Sequence, residues 1–267
     1  MRRLLTVVIL AVFTAPASLF AQSTPGPLIV VGGGGTTPAI LSKALAVAGG
    51  RDARVAVLPQ ASELPDTGTG SAKMWLDSGA KEARPVVLAD RSAARDLIGQ
   101  ATLIWMPGGD QNRFMKAITD AGLDDLIRER HKAGVAVGGT SAGAAVLSDA
   151  MITGEADLKS VTTGTTQLAR GLGLWPEVIV DQHFLKRQRG NRLISAVLDR
   201  PTLVGVGIDE RTAVIVRGST FEVVGASAVV VVDARHATRA PSVHGRPVAA
   251  TDIRLSVLRD GMTYRLD

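Results

Sequence analysis

Ser141 stands in the run Val135 to Leu147, V-A-V-G-G-T-S-A-G-A-A-V-L, and its neighbours frame it for nucleophilic chemistry. A short β-branched run breaks into glycines, presents the serine and resumes as small helix formers, which predicts strand, tight turn and helix. The residues around Ser141 match G-x-S-x-G, the pattern of a nucleophile elbow, where a strained turn exposes the hydroxyl and small neighbours let backbones approach. In that geometry the amide of Ala142, at the helix start, faces a developing oxyanion, and the amide of Gly109 is the second donor expected. The same pattern also describes a close-packed crossover in which the serine only caps a helix. The motif alone leaves both readings open.

A hydroxyl nucleophile needs a base within hydrogen-bond reach, and the base needs a third group to orient it. In open parallel sheets the working residues lie beyond the carboxyl ends of strands. Three such ends supply polar groups: Pro107-Gly108-Gly109-Asp110-Gln111, Asp181-Gln182-His183 and Asp209-Glu210. Of the four histidines, His131 is expected on the charged side of a helix, and His236 and His244 fall in a basic loop with no strand behind them. His183 is therefore the expected base and Glu210 its partner. An esterase of the α/β-hydrolase type, with chain order serine, acid, histidine, would instead use Ser141, Asp233 and His236 or His244. The run Phe184 to Arg192 adds Arg187, Arg189 and Arg192. Charge runs usually form solvated faces, but guanidinium groups beside an acyl-transfer site suit a carboxylate-rich substrate such as an aspartyl peptide.

The elements that must position these residues follow from hydropathy. Buried-strand runs at 27–31, 55–58, 85–88, 103–106, 135–137 and 178–180 alternate with amphipathic stretches, among them 123–132. Such alternation predicts an α/β fold with a mainly parallel sheet covered by helices on both faces. From residue 203 the strands become short and closely spaced, at 203–208, 213–216, 221–224, 229–232 and 254–258, as expected of an antiparallel extension of the same sheet. The loop Gly32-Gly33-Gly34-Gly35 tempts a dinucleotide assignment, but it lacks the lysine of a P-loop and no acidic residue ends the next strand. A tight loop approaching the active site or starting a helix fits better.

The 267 residues, 46% hydrophobic, suit one large domain, expected over residues 22–267. Arg2 and Arg3, the apolar run from Leu4 to Phe13 and small residues up to Ala21 have the regions of a secretory signal peptide, so residues 1–21 are expected to be removed. The run is too short for a membrane anchor, and the mature chain is expected to be secreted or periplasmic. The chain has no cysteine, which excludes a thiolate nucleophile and disulfides. Loss of Arg2 and Arg3 lowers the formal charge from +5 by two, to +3, a weak field that argues against nucleic acid as a partner.

Four motifs carry a resemblance: G-G-D-Q at 108–111, G-T-S-A-G-A at 139–144, D-Q-H-F-x-x-R-x-R-x-x-R at 181–192 and G-I-D-E at 207–210. In this order the chain resembles the cyanophycinases, serine peptidases of family S51 in the peptidase E (aspartyl dipeptidase) clan. The resemblance implies a flavodoxin-like fold similar to class I glutamine amidotransferases, with serine in place of their cysteine, and neither cofactor nor metal. It implies a serine exopeptidase hydrolysing β-aspartyl linkages and releasing β-aspartyl-arginine dipeptides from cyanophycin, a poly-aspartate bearing arginine on its side-chain carboxyls. Carried over residue by residue, the nucleophile falls on Ser141, the base on His183 and the acid on Glu210. The substrate-site residues fall on Gln111, Asp181, Gln182, Arg187, Arg189 and Arg192. A homodimer is compatible with this reading. The loops at 61–73 and 235–248 match no family pattern. An aspartyl or isoaspartyl dipeptidase on the same scaffold and a non-catalytic exported peptide-binding protein are the other readings.

Overall fold

The computed structural model describes residues 24–154, 156, 158–241 and 243–266. The expected leader, residues 1–21, lies outside the described residues. The first half alternates as expected: β1 Leu28–Val31, α1 Pro38–Val47, β2 Arg54–Val57, α2 Thr67–Asp77, β3 Glu82–Pro85, α3 Arg91–Gln100, β4 Leu103–Met106, α4 Gln111–Asp120, α5 Asp124–Lys132, β5 Ala136–Thr140 and the single turn α6 Ala142–Ala145. The second half comprises β6 Ala150–Ile152, β7 Leu168–Arg170, β8 Val178–Gln182, α7 Gly190–Asp199, β9 Val204–Ile208, β10 Thr212–Arg217, β11 Thr220–Gly225, β12 Val229–Asp233, β13 Thr238–Arg239, β14 Ala250–Thr251, β15 Arg254–Leu258 and β16 Thr263–Arg265.

Eight strands form the main sheet in the order β16-β11-β10-β1-β5-β4-β2-β3. Strands β1, β5, β4, β2 and β3 run parallel, while β10, β11 and β16 extend the sheet antiparallel beyond β1. One expectation is corrected. The late strands do not all extend this sheet, because β8, β9, β12 and β15 make a second sheet in the order β15-β12-β9-β8. The physical reason is visible in β12, where residues on both faces are buried in different cores. Val229 and Val231 face the core shared with the main sheet, and Val230 and Val232 face α7 and its surroundings. A strand apolar on both faces is satisfied only inside a layer.

Period-two alternation along β1 divides the chain into layers. Leu28 and Val30 join the core between the two sheets, with Phe114 of α4 and Ile127 of α5, while Ile29 and Val31 join the core under α1 and α2. In that second core Trp75 and Trp105 meet edge to face at 5.0 Å between ring centroids. His131 is buried rather than on the charged side of its helix, with Nε2 2.8 Å from the Gly26 carbonyl. Among the described residues no helix is long and apolar enough to cross a membrane.

Behind the Ser141 turn, α6 lies directly against the end of β4. A Cβ on Gly143 would fall 1.9 Å from the Met106 carbonyl oxygen, a backbone atom that cannot move without shifting the strand. Gly143→Ala should therefore cost about 3 kcal/mol, at the upper end of overpacking penalties. The midpoint of urea unfolding measures it, and an unchanged midpoint contradicts the close approach.

Candidate active site

The elbow at the end of β5 carries Ser141 in a strained backbone conformation, φ 55° and ψ −115°. Its hydroxyl makes no capping bond to α6. Instead Oγ lies 3.0 Å from Nε2 of His183, and Nδ1 of His183 lies 2.7 Å from Oε1 of Glu210. The structure thus brings Ser141, His183 and Glu210 together in the order nucleophile, base, acid. The alternative acid Asp233 is held through both carboxylate oxygens by Arg235, and the Ser141 hydroxyl is paired with His183 rather than His236 or His244.

Three consecutive carbonyls at the end of β1 hold the three segments. The Ser141 amide donates to the Val31 carbonyl at 3.0 Å, the His183 amide to Gly32 at 2.7 Å, and the Arg211 amide, next to Glu210, to Gly33 at 2.7 Å. Each of these donors has positive φ, at 55°, 50° and 56°, so all three corners turn sharply to reach one stretch of chain. Gly33 has φ +101°, and a Cβ there would fall 2.3 Å from Cε1 of the His183 ring. The glycine loop is therefore the seat of the histidine.

Burial is the largest influence on His183 and lowers its pKa below the ordinary 6.5. The hydrogen bond with Glu210 opposes this by favouring the imidazolium, and the nearby Arg187 and Arg189 guanidiniums push it down again. His183 is thus kept neutral, able to accept the Ser141 proton, into mildly acidic solution. Asp209 is a supporting residue that the sequence reading passed over, although it precedes Glu210 at the same strand end. Its Oδ1 accepts from the Leu185 and Lys186 amides at 3.1 and 2.9 Å, and its Oδ2 accepts from the Ser227 hydroxyl at 2.7 Å. These bonds fasten the turn that follows His183. Burial alone would raise the Asp209 carboxyl, but this set of donors holds it below the usual range.

The residues expected to bind substrate are placed differently from one another. Asp181 and Arg192 are buried together, 1% and 4% exposed, with Nε of Arg192 2.7 Å from Oδ2 and Nη2 bonded to Oδ1. Nη1 of Arg192 donates to the Gly154 carbonyl at 3.2 Å. Arg189 donates to both the carbonyl and Oε1 of Gln182, at 2.6 and 2.7 Å. Nε2 of Gln111 donates to the carbonyls of Ile152 and Thr153 at 2.9 and 3.0 Å. Of the residues expected at the substrate site, Gln111, Asp181, Gln182, Arg189 and Arg192 thus make hydrogen bonds within the protein, around the ends of β6 and β8. Arg187 is exposed. Gly109 turns with φ +144° against the Ala61 carbonyl, and its neighbour Gly108 approaches Ser141, where an added Cβ would be 3.4 Å from the serine Cβ. Ala142 is buried directly after the serine.

A cavity of about 560 Å³ opens beside the Ser141–His183 pair. Its walls are the glycine loop and the start of α2, with Trp105 and Pro107 below. The stretch 61–73, expected as a loop, is helical from Thr67 as the start of α2, and it forms part of this wall.

Two outcomes are expected. On a small neutral ester, kcat/KM should fall as pH drops through the His183 titration, with its midpoint below 6.5. Arg187→Gln removes a cation that disfavours the imidazolium, so the midpoint should rise; Glu210→Gln removes the group favouring it, so the midpoint should fall along with kcat. A pH profile unmoved by Arg187→Gln contradicts the electrostatic reading. Arg192→Met leaves buried Asp181 with only Arg189, whose Nη1 lies 3.6 Å from Oδ1, and should cost about 3 kcal/mol in denaturant unfolding, with the activity loss alike on all substrates. Unchanged stability would return Arg192 to the substrate.

Comparison with known proteins accords with this geometry. Residues 28–224 match Peptidase family S51. The chain is 38% identical over 238 residues to a cyanophycinase of Geminocystis herdmanii, covering 84% of this chain and 87% of that protein. It is 33% identical over 259 residues to a cyanophycinase of Trichormus variabilis, covering 92% and 87%. A crystal structure of a peptidase from an acI-B1 Actinobacterium shares the fold with a TM-score of 0.65 at 23% identity, covering 92% of this chain and 99% of the other. The chain belongs to peptidase family S51 and is a serine-type peptidase.

Proposed function

We propose that this peptidase degrades cyanophycin, releasing β-aspartyl-arginine dipeptides, and that it does so outside the cytoplasm after loss of residues 1–21. The relay from Glu210 through His183 to Ser141, in a chain so similar to cyanophycinases, carries the reading. A product that keeps arginine on the β-carboxyl identifies the bond that must break. It is the main-chain amide between successive aspartates, and the β-aspartyl amide is the feature recognised rather than the bond cut.

The reaction follows from the geometry. His183 takes the Ser141 proton at Nε2 as Oγ attacks the scissile carbonyl, and Glu210 stabilises the imidazolium through Nδ1. The negative charge that develops on the carbonyl oxygen is taken by the amides of Ala142 and Gly109. His183 then protonates the leaving amine, the carbon–nitrogen bond breaks, and water activated by the same imidazole hydrolyses the acyl ester on Ser141. Arg187, exposed beside His183, is the cation available to a substrate carboxylate. Export rests on the basic and apolar order of the first residues, Arg2 and Arg3 before Leu4 to Phe13.

Purified cyanophycin should yield β-aspartyl-arginine, identified by mass, with the wild type. Ser141→Ala should keep its fold and lose about 10⁴-fold or more in kcat. Turnover of aspartyl dipeptides with cyanophycin left intact would overturn the substrate, and a tenth of the activity surviving in Ser141→Ala would overturn the nucleophile.

A further inference from the structure

The cavity beside Ser141 has a chemical character that the relay does not use. One wall is the backbone of Gly33, Gly34 and Gly35 with Thr36, and the other is the start of α2, with Asp66, Thr67, Gly70, Ser71 and Met74. A Cβ added at Gly35 or at Gly70 meets nothing within 4 Å, so both glycines border open space. Met74, half-buried, supplies apolar surface for an alkyl stem. With His183 neutral, Asp66 is the one fixed charge lining the cavity among the described residues.

The Asp66 carboxylate is also unoccupied by the usual duty of its position. It stands at the N-cap of α2, yet its side chain makes no capping bond. The Ser62 hydroxyl serves the chain entry instead, accepting from the Leu64 amide at 3.1 Å and lying 2.7 Å from the Thr67 hydroxyl. Asp66 is exposed and forms no ion pair among the described residues. Near the imidazole of His183, outside this lining, Arg187 is an exposed cation. A substrate carrying charges of both signs is therefore oriented: a cation is favoured toward α2 and a carboxylate toward Arg187.

We propose that Asp66 is a specificity-determining residue that takes the cationic end of a long substrate side chain, a guanidinium or an ammonium, whose stem lies along Met74. This deepens the cyanophycin reading and rests on it, because arginine on the aspartyl unit supplies such an end. The contact is open to solvent, so its effect is modest and screened by salt.

The test uses short β-aspartyl-arginine oligomers and the same oligomers with citrulline or lysine in place of arginine. The wild type should favour arginine over neutral citrulline by about tenfold in kcat/KM, the size of one charge-assisted hydrogen bond. Asp66→Asn should erase that preference by slowing the arginine oligomer while leaving citrulline unchanged, and Asp66→Lys should reverse it. An arginine-to-citrulline ratio unchanged by Asp66→Asn overturns the assignment, even if cyanophycin is digested. Should the wild type cleave none of the oligomers, the cyanophycin reading falls by itself. Competition between agmatine and a small fluorophosphonate then decides Asp66: protection of Ser141 in the wild type but not in Asp66→Asn supports it, and equal labelling of both overturns it.

Discussion

Three successive peptide carbonyls, at Val31, Gly32 and Gly33, anchor everything that reacts in this protein. Each accepts a backbone hydrogen bond from a segment carrying one member of the relay, and the donors come from positions 141, 183 and 211. Neither sheet alone contains all three. Ser141 follows a strand of the main sheet, whereas His183 and Glu210 follow strands of the second sheet. The end of β1 is where the two sheets are joined, and the core between them, built from Val30, Val137, Val180, Val206 and Val214, fixes their separation. A backbone anchor is well suited to this purpose. Carbonyl positions are set by the strand ladder and do not depend on rotamers, so the relay inherits the precision of the sheet.

Strain is concentrated at the same place. Ser141, His183 and Arg211 all adopt positive φ without being glycine, and such conformations persist only where surrounding bonds over-determine them. Their amides bonded to the β1 end, the closely packed α6 behind Ser141 and the Asp209 brace beyond His183 provide that determination. The glycines serve it too, since Gly33 leaves room for the imidazole where any side chain would displace it.

The arginine-rich segment divides into two kinds of work. Arg192 and Arg189 turn inward, one neutralising Asp181 in a dry interior and the other bridging Gln182, and both steady the end of β8 from which His183 departs. Arg187 stays outside, close enough to depress the histidine pKa. The cavity beside the nucleophile carries Asp66 in its lining. Charges of both signs therefore stand near the nucleophile, a property that belongs to no single motif.

The sequence by itself determined the chemistry and its direction: a serine on a strand-to-helix turn, a histidine and a glutamate at strand ends, and alternating elements that build an α/β layer. Those features are local. Periodicity, turn residues and the identity of strand-end side chains are written in neighbouring positions, so they are legible one segment at a time. The tertiary structure alone decided which strands share a sheet, because β9 and β12 read the same whether they extend the first layer or form a second. It decided that Asp181, Arg189, Gln111 and Arg192 turn to the protein, since a charged residue gives the same letter whether its partner is a substrate or a buried carboxylate 11 positions away. It also decided that the glycine loop seats the histidine and that Asp66 stands in the wall of the cavity. Both depend on segments some 150 and 75 residues apart meeting in space, and only the packing of two sheets against one another specifies that distance.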